Sequence, residues 1–285
     1  QNGIPDDPWY AIAGSDHFFT ATSKDYEVTY FNPGGAEDVP WSDNHGGGGY
    51  IYTNAAHEQP YYPMADSFPD IPGTQYTLSG YSLQGSIDTG NPVFVTSAQR
   101  MFGYADNHLR GSTPYTLPDN PYTPEKENSG GDAIDISWAV NENHEYIDLD
   151  AIHFVKVQTA MMGDRGWLGE ISTEITGAVD VDPDPAITGI TDVIVIRDLP
   201  FLVDTSLIQL DAYAFLSGRY SPGTAIGWET NVDWAAIDEY GLMTLTGSGD
   251  VTITAFLLSD PGISTSITCH VELPFAVPEF PATGI

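Results

Sequence analysis

Gly131–Thr176 reads GDAIDISWAVNENHEYIDLDAIHFVKVQTAMMGDRGWLGEISTEIT. It has the look of a run of β-strands. In Ile134–Val140 (IDISWAV) apolar and polar residues alternate, which predicts a strand with one face inward and the other toward water. Asn141–His144 is a turn leading to a second strand candidate at Tyr146–Leu149. Ile152–Thr159 (IHFVKVQT) predicts a third, with Ile152, Phe154, Val155 and Val157 as its apolar members. The turn Gly163–Gly166 then introduces Trp167–Ile175. Two tryptophans and many β-branched residues are the material of a sandwich core, and the stretch reads first as core strands.

Other stretches repeat the pattern. Tyr26–Phe31 (YEVTYF) alternates and ends in Asn32-Pro-Gly-Gly35, a strand and its turn. Gln75–Leu78, Tyr81–Ile87 and Val93–Thr96 predict further strands, and Leu109–Gly130, rich in Pro, Asn and Gly, predicts a long surface loop. Gly46–Gly49 is expected to be a mobile or closely approached loop beside Trp41, because backbone entropy opposes four glycines in a packed strand. No strong amphipathic helix is expected anywhere.

The NGIPDDPWY pattern at Asn2–Tyr10, GYADN at Gly103–Asn107, GGDAIDISWAV, AIHFVKVQTA and GWLGEISTEI together resemble a family of secreted cell-surface proteins of bacteria and archaea. The resemblance covers roughly residues 2–178. It implies a β jelly-roll-like domain and an extracellular location, and it implies little about activity.

Asp180–Pro185 (DVDPDP) marks a stiff, extended linker, since each residue before a proline is kept out of the helical region and the aspartates repel. From Ile187 a different rhythm begins: Val193–Ile196, Leu207–Ala214, Ala225–Thr230, Trp234–Asp238, Gly241–Thr246, Asp250–Phe256 and Ser264–Val271. Seven short strands with a turn every ten or so residues describe an Ig-like sandwich. The order IQLDAYA…GWETNVDWAAIDEYGLMTLTGSGDVTITAF…SITCHV resembles the bacterial group-2 Ig-like domain. That resemblance implies a core role for Trp228, a hairpin turn at Asp238–Leu242, and a spacer or adhesive module without catalytic machinery. The expected organisation is a jelly-roll-like domain over 1–179, a linker over 180–186, an Ig-like domain over 187–274 and a tail over 275–285. The tail (FAVPEFPATGI) resembles the start of a C-terminal surface-sorting signal. The fold class expected is all-β, a jelly-roll-like sandwich followed by an Ig-like sandwich.

The 285 residues include 40 acidic and 8 basic side chains, a formal net charge of −32. Nucleic acid and anionic membranes are therefore poor partners, since both require Lys and Arg to displace counterions. Of the acids 27 are Asp, a turn former, which places much of the charge in loops. Such a surface suits a salt-adapted protein and also offers carboxylates to divalent cations. Cys269 is the only cysteine, so no intrachain disulfide can form, and no run approaches the ~18 apolar residues of a membrane helix.

Two groups of residues are candidates for binding. Trp41, Asp43, Asn44 and His45 in one segment and Tyr104, Asp106 and Asn107 in another repeat an aromatic–Asx pattern, with His57 and Glu58 between them. Carbohydrate sites pair aromatic faces with Asp and Asn hydrogen bonds, and calcium sites use the same oxygens; Asp–Asn pairs are equally common as plain turns. Asn2-Gly-Ile-Pro-Asp6 resembles the back half of an Asx-rich calcium loop, with Asn2, Ile4 and Asp6 as candidate ligands, or it is a simple β-turn. Asp132 and Asp135 lie in another turn-rich segment and extend the calcium expectation. No Gly-x-Ser-x-Gly elbow, Walker loop or His-Glu-x-x-His is present, so catalysis is not expected. These readings lead to a non-enzymatic extracellular surface protein that self-associates with neighbouring subunits and is stabilised by calcium. The alternative is a surface module that binds a glycan or another small ligand.

Overall fold

The computed structural model describes residues 8–53, 60, 62–63, 69–71, 73–83, 87–88, 96–97, 100–105, 132–159, 175, 177–180, 192–197, 199–200 and 202–274. The structure is all-β: strands are its main regular element, and among the described residues the one helical element is a single 3₁₀ turn. No helix among the described residues is long and apolar enough to cross a membrane. The chain divides into two compact units, Gln1–Thr191 with Ser217–Arg219, and Asp192–Leu216 with Tyr220–Ile285.

The first unit contains β1 (Ala11–Ile12), β2 (Ser23–Phe31), β3 (Val39–Asp43), β4 (Gly48–Ile51), β5 (Gln75–Ser82), β6 (Ile87–Asp88), β7 (Thr96–Ser97) and β8 (Ala139–Val140). Its main sheet is antiparallel in the order β4-β3-β2-β5. The alternation read in YEVTYF is real: Tyr26 and Val28 are buried, and Tyr30 and Trp41 pack against them. The turn after β2 is also as expected, with Gly34 at φ +88° and its N–H bonded to the Asn32 side chain. The glycine run behaves differently from expectation. Gly46 takes φ +86° in the turn, but Gly48 and Gly49 enter β4, an edge strand paired with Ser42 and Trp41. The entropy cost is tolerable there because an edge strand is held on one side only and Gly49 lets the backbone pass over the Trp41 ring. A Cβ at Gly49 would lie 3.2 Å from the indole nitrogen.

The opening stretch departs furthest from its sequence pattern. Ile134–Val140 is not one strand: Ile136–Trp138 forms the 3₁₀ turn, and only Ala139–Val140 is β, paired with β1. Asp135 is the reason. Its carboxylate accepts the Ser137 N–H at 2.7 Å and caps the turn, a local bond that competes with a ladder. Trp138 is nonetheless buried, tilted against Phe102 at 5.0 Å between ring centres. Asn141–His144 is the expected turn, its Asn141 Oδ1 accepting the Asn143 and Glu145 amides. Beyond it Tyr146 pairs with Val140 as an isolated β-bridge, and Ile152–Thr159 has no ladder partner among the described residues. Of the strand candidate Trp167–Ile175 only Ile175 is described, without a strand assignment, and the long loop Leu109–Gly130 lies outside the described residues.

The remaining strands are β9 (Val193–Ile196), β10 (Leu202–Val203), β11 (Leu207–Gln209), β12 (Ala212–Leu216), β13 (Arg219–Tyr220), β14 (Ile226–Thr230), β15 (Ala235–Ile237), β16 (Leu242–Leu245), β17 (Gly249–Leu257) and β18 (Ser264–Val271), all in the second unit save Arg219 of β13. They form sheets in the orders β10-β18-β17-β14, β11-β16-β15 and β13-β12-β9. Strand β17 organises them. Its Val251, Ile253, Ala255 and Leu257 are all buried on one face, the first two in a core with Met243 and Leu245 and the last two in a core with Ile194, Ile196 and Ala214. Trp228 packs against both cores, which gives it the core role expected of it. On the opposite face the register sets Thr252 beside Thr268 and Thr254 beside Ser266, with hydroxyls at 3.0 and 2.8 Å.

Leu207–Ala214, read as one strand, is two. β11 pairs with β16 and β12 with β9, so the chain changes sheets between Gln209 and Ala212. Leu210 is buried at the crossing and donates its N–H to Gly241. A sandwich corner needs such a break, because a straight strand cannot serve two packed sheets. The Asp238–Leu242 turn is as expected. The Asp238 carboxylate accepts the Tyr240 and Leu242 amides at 2.9 Å, and Gly241 supplies φ +80°.

Candidate functional site

The first candidate group lies on the β3–β4 hairpin. Trp41 sits on β3, partly buried against Tyr26 and Val28, with its indole nitrogen buried and unpartnered. Asp43 ends β3 and faces inward on the turn. Its Oδ1 accepts the His45 and Gly47 amides at 2.9 and 2.6 Å, and its Oδ2 accepts the Tyr26 hydroxyl at 2.9 Å. Desolvation raises the Asp43 carboxyl, but the Gly47 amide, the Tyr26 hydroxyl, the His45 amide and the His45 ring together hold it below its usual value. Asn44 is fixed on both ends, accepting the Glu27 amide and donating to the Asp25 carbonyl. His45 lies at the surface, 3.1 Å from the Ser23 hydroxyl and edge-on to Tyr26. The Asx pair thus stitches the hairpin to β2 with its polar atoms already engaged. What the hairpin presents outward is aromatic: Tyr50 and Tyr52 are exposed, with ring centres 6.1 Å apart.

Tyr104 is placed elsewhere in the unit. Its ring lies against Gly14, and its hydroxyl accepts the Asp16 amide at 3.2 Å. Burial pushes its phenol well above the ordinary value, with the nearby Asp16 adding to the effect. Tyr104 is therefore a packing residue that closes on the segment Gly14–Asp16, and the structure does not bring it to the Trp41 hairpin. Asp106, Asn107, His57 and Glu58 lie outside the described residues, as do Asn2, Ile4 and Asp6. Asp135 caps the 3₁₀ turn, and Asp132 is half-buried just before it. No group of three or more His, Cys, Asp or Glu side chains that could hold a metal ion occurs among the described residues.

Sequence reasoning missed the polar interior of this unit. Ser15, Asp16, His17 and Thr22 are all buried. Arg100 reaches Asp16 with Nη1 at 2.6 Å from Oδ2, both side chains nearly closed to water. The Ser15 hydroxyl donates to the other Asp16 oxygen at 2.7 Å and accepts the Met101 amide, and the Thr22 hydroxyl donates to the Asp16 carbonyl. Where the two segments cross, a Cβ on Gly103 (φ +82°) would collide with the Gly14 backbone, so only glycine fits. The sole sequence signal was the unusual run Ser15-Asp-His-Phe-Phe19, whose arginine partner lies 84 residues further on from Asp16. His17 is the deepest titratable group of the set. Burial, then Lys24, then His144 drive its pKa down to about 3, so the imidazole is neutral.

Comparison with protein-family models finds none that matches this chain, and comparison with curated proteins finds none at a significant level.

Proposed function

We propose that this protein is a non-enzymatic extracellular surface subunit with a structural, assembly or adhesive role in a filament or surface layer, stabilised by calcium. The observation that carries the reading is the second unit. It is a β-sandwich whose inward faces are aliphatic and whose outer β17–β18 face is a ladder of paired hydroxyls, the build of a stiff spacer. The same reading takes this unit as a group-2 Ig-like module and the first as jelly-roll-like. The charge of −32 supports an acidic, solvated exterior on which divalent cations would bridge subunits. Electron microscopy of the purified chain with calcium and with chelator tests it: ordered polymers or sheets in calcium are expected. A monomer under both conditions would remove the assembly role. Deleting 275–285, which lie outside the described residues, separates tail-mediated assembly from assembly by the sandwich faces. For calcium itself, a hundredfold excess over Kd adds about 2.7 kcal/mol to the folded state. Equal melting temperatures with calcium and with chelator, at matched ionic strength, would exclude it.

A second reading, a surface module for a glycan or other small ligand, is favoured by Tyr50 and Tyr52 standing exposed as a pair on the edge hairpin, on the face of the sheet opposite Trp41. Exposed aromatic pairs suit the apolar face of a sugar ring. A glycan array tests it: binding lost in Tyr50→Ala and Tyr52→Ala would assign the ligand to this hairpin.

A further inference from the structure

Two buried imidazole nitrogens have no hydrogen-bond partner among the described residues. His17 is 3% exposed, and its Nε2 is buried without a hydrogen-bond partner. His144, on the turn before Tyr146, has a buried Nδ1 that also lacks one. The two rings are neighbours, their centres 5.2 Å apart and their planes at 62°. Tyr81 lies against both, at 5.2 Å from His17 and 6.3 Å from His144. A buried polar atom left unsatisfied is costly, and here there are two on adjacent rings. His144 is further held at φ +61°, a left-handed conformation that non-glycine residues rarely adopt. Strain and unsatisfied donors or acceptors on adjacent rings call for a ligand that repays them.

We propose that His17 and His144 form a two-histidine site for a divalent transition-metal ion of the zinc or copper(II) class, with the open positions filled by water or an exogenous ligand. Metal–imidazole bonds of about 2.0–2.1 Å at a tetrahedral angle hold the two ring centres about 5 Å apart, the separation seen here. Nitrogen donors select this class of ion over calcium, which takes oxygen, so the site is separate from any carboxylate site. Metal binding requires the neutral imidazole, and burial keeps His17 neutral, with Lys24 and His144 contributing, while burial and Lys24 also lower His144. Lys24 opposes the site. Its ammonium sits over the Phe18 ring, 5.5 Å from the centre, and weakens the site for a dication as it does for a proton.

The test is titration of the full chain, made without a polyhistidine tag and held in millimolar calcium to occupy carboxylates, with zinc chloride alone. One zinc per chain is expected, with the ring-proton NMR signals of His17 and His144 shifting together. His144→Asn should weaken binding at least tenfold while leaving the fold intact, because asparagine accepts a left-handed φ. His17→Gln gives the same test from the buried side. Zinc that leaves both imidazole signals in place, or that binds His144→Asn as tightly as the wild type, overturns the proposal. Neither result bears on assembly in calcium.

Discussion

Two apolar runs of similar composition meet opposite fates. In β17, Val251, Ile253, Ala255 and Leu257 are at most 2% exposed. In 152–159, Ile152, Phe154, Val155 and Val157 are 44–59% exposed. Both have high β propensity. The first keeps strict alternation over nine residues, so all four side chains fall on one face, and a short turn returns β18 to pair with it. In the second, Phe154 and Val155 are consecutive, which puts apolar side chains on both faces and specifies neither. Propensity selects an extended backbone; a consistent face and an adjacent partner make it a strand.

The core itself differs in the same way between the units. The second is held by aliphatic layers, the first in part by the buried Asp16–Arg100 pair. Arg100→Met is expected to have the largest effect, about 3–5 kcal/mol, because it leaves a buried carboxylate without its cation. Hydrogen exchange read by mass spectrometry should show the loss around Ala11–Phe19 and Trp138 and leave β17–β18 protected. If Asp16→Leu combined with Arg100→Met restores most of that protection, the pair contributes specificity more than net stability.

The comparison of the two runs is tested by equal deletions. Ile253→Ala should cost about 2–5 kcal/mol, whereas Val155→Ala, at an exposed position, should stay within about 0.5 kcal/mol. Similar losses in denaturant unfolding would mean that 152–159 is buried in solution. Asp43→Asn should cost about 1 kcal/mol or less, since the turn is close to water and screened. Its sign with pH is fixed. The folded carboxyl titrates below its unfolded value, so its contribution is present above about pH 4 and disappears as pH falls through the folded value. A gap between wild type and variant that widens below pH 4 would contradict the turn geometry. The smallest effect belongs to the outer ladder. A double-mutant cycle on Thr252 and Thr268 should give a coupling of about 0.2–1 kcal/mol, and a coupling of zero would reduce the ladder to spacing alone.

Much of the second unit was legible. Val193–Ile196 and Ser264–Val271 are strands with the bounds read from the sequence, and the Asp238–Leu242 turn has the bonds that its Asp and Gly demand. These depend on contacts a few residues apart, where alternation and turn chemistry act directly. The binding groups were less legible. Asp43 and Asn44 present the same letters whether they bind a ligand or tie a turn, and only the positions of the Gly47, Glu27 and Tyr26 donors distinguish the two.

The sequence alone determined the all-β class, the acidic surface, the lack of an intrachain disulfide and the alternation that buries β2 and β17. All of these are properties of single residues or of period-two neighbours. Tertiary structure alone decided that Leu207–Ala214 breaks between two sheets, that Tyr104 closes on Gly14, that Arg100 neutralises Asp16 and that His17 meets His144. Each of those depends on segments brought together from far apart in the chain, and the free energy of such a contact is written in neither partner by itself.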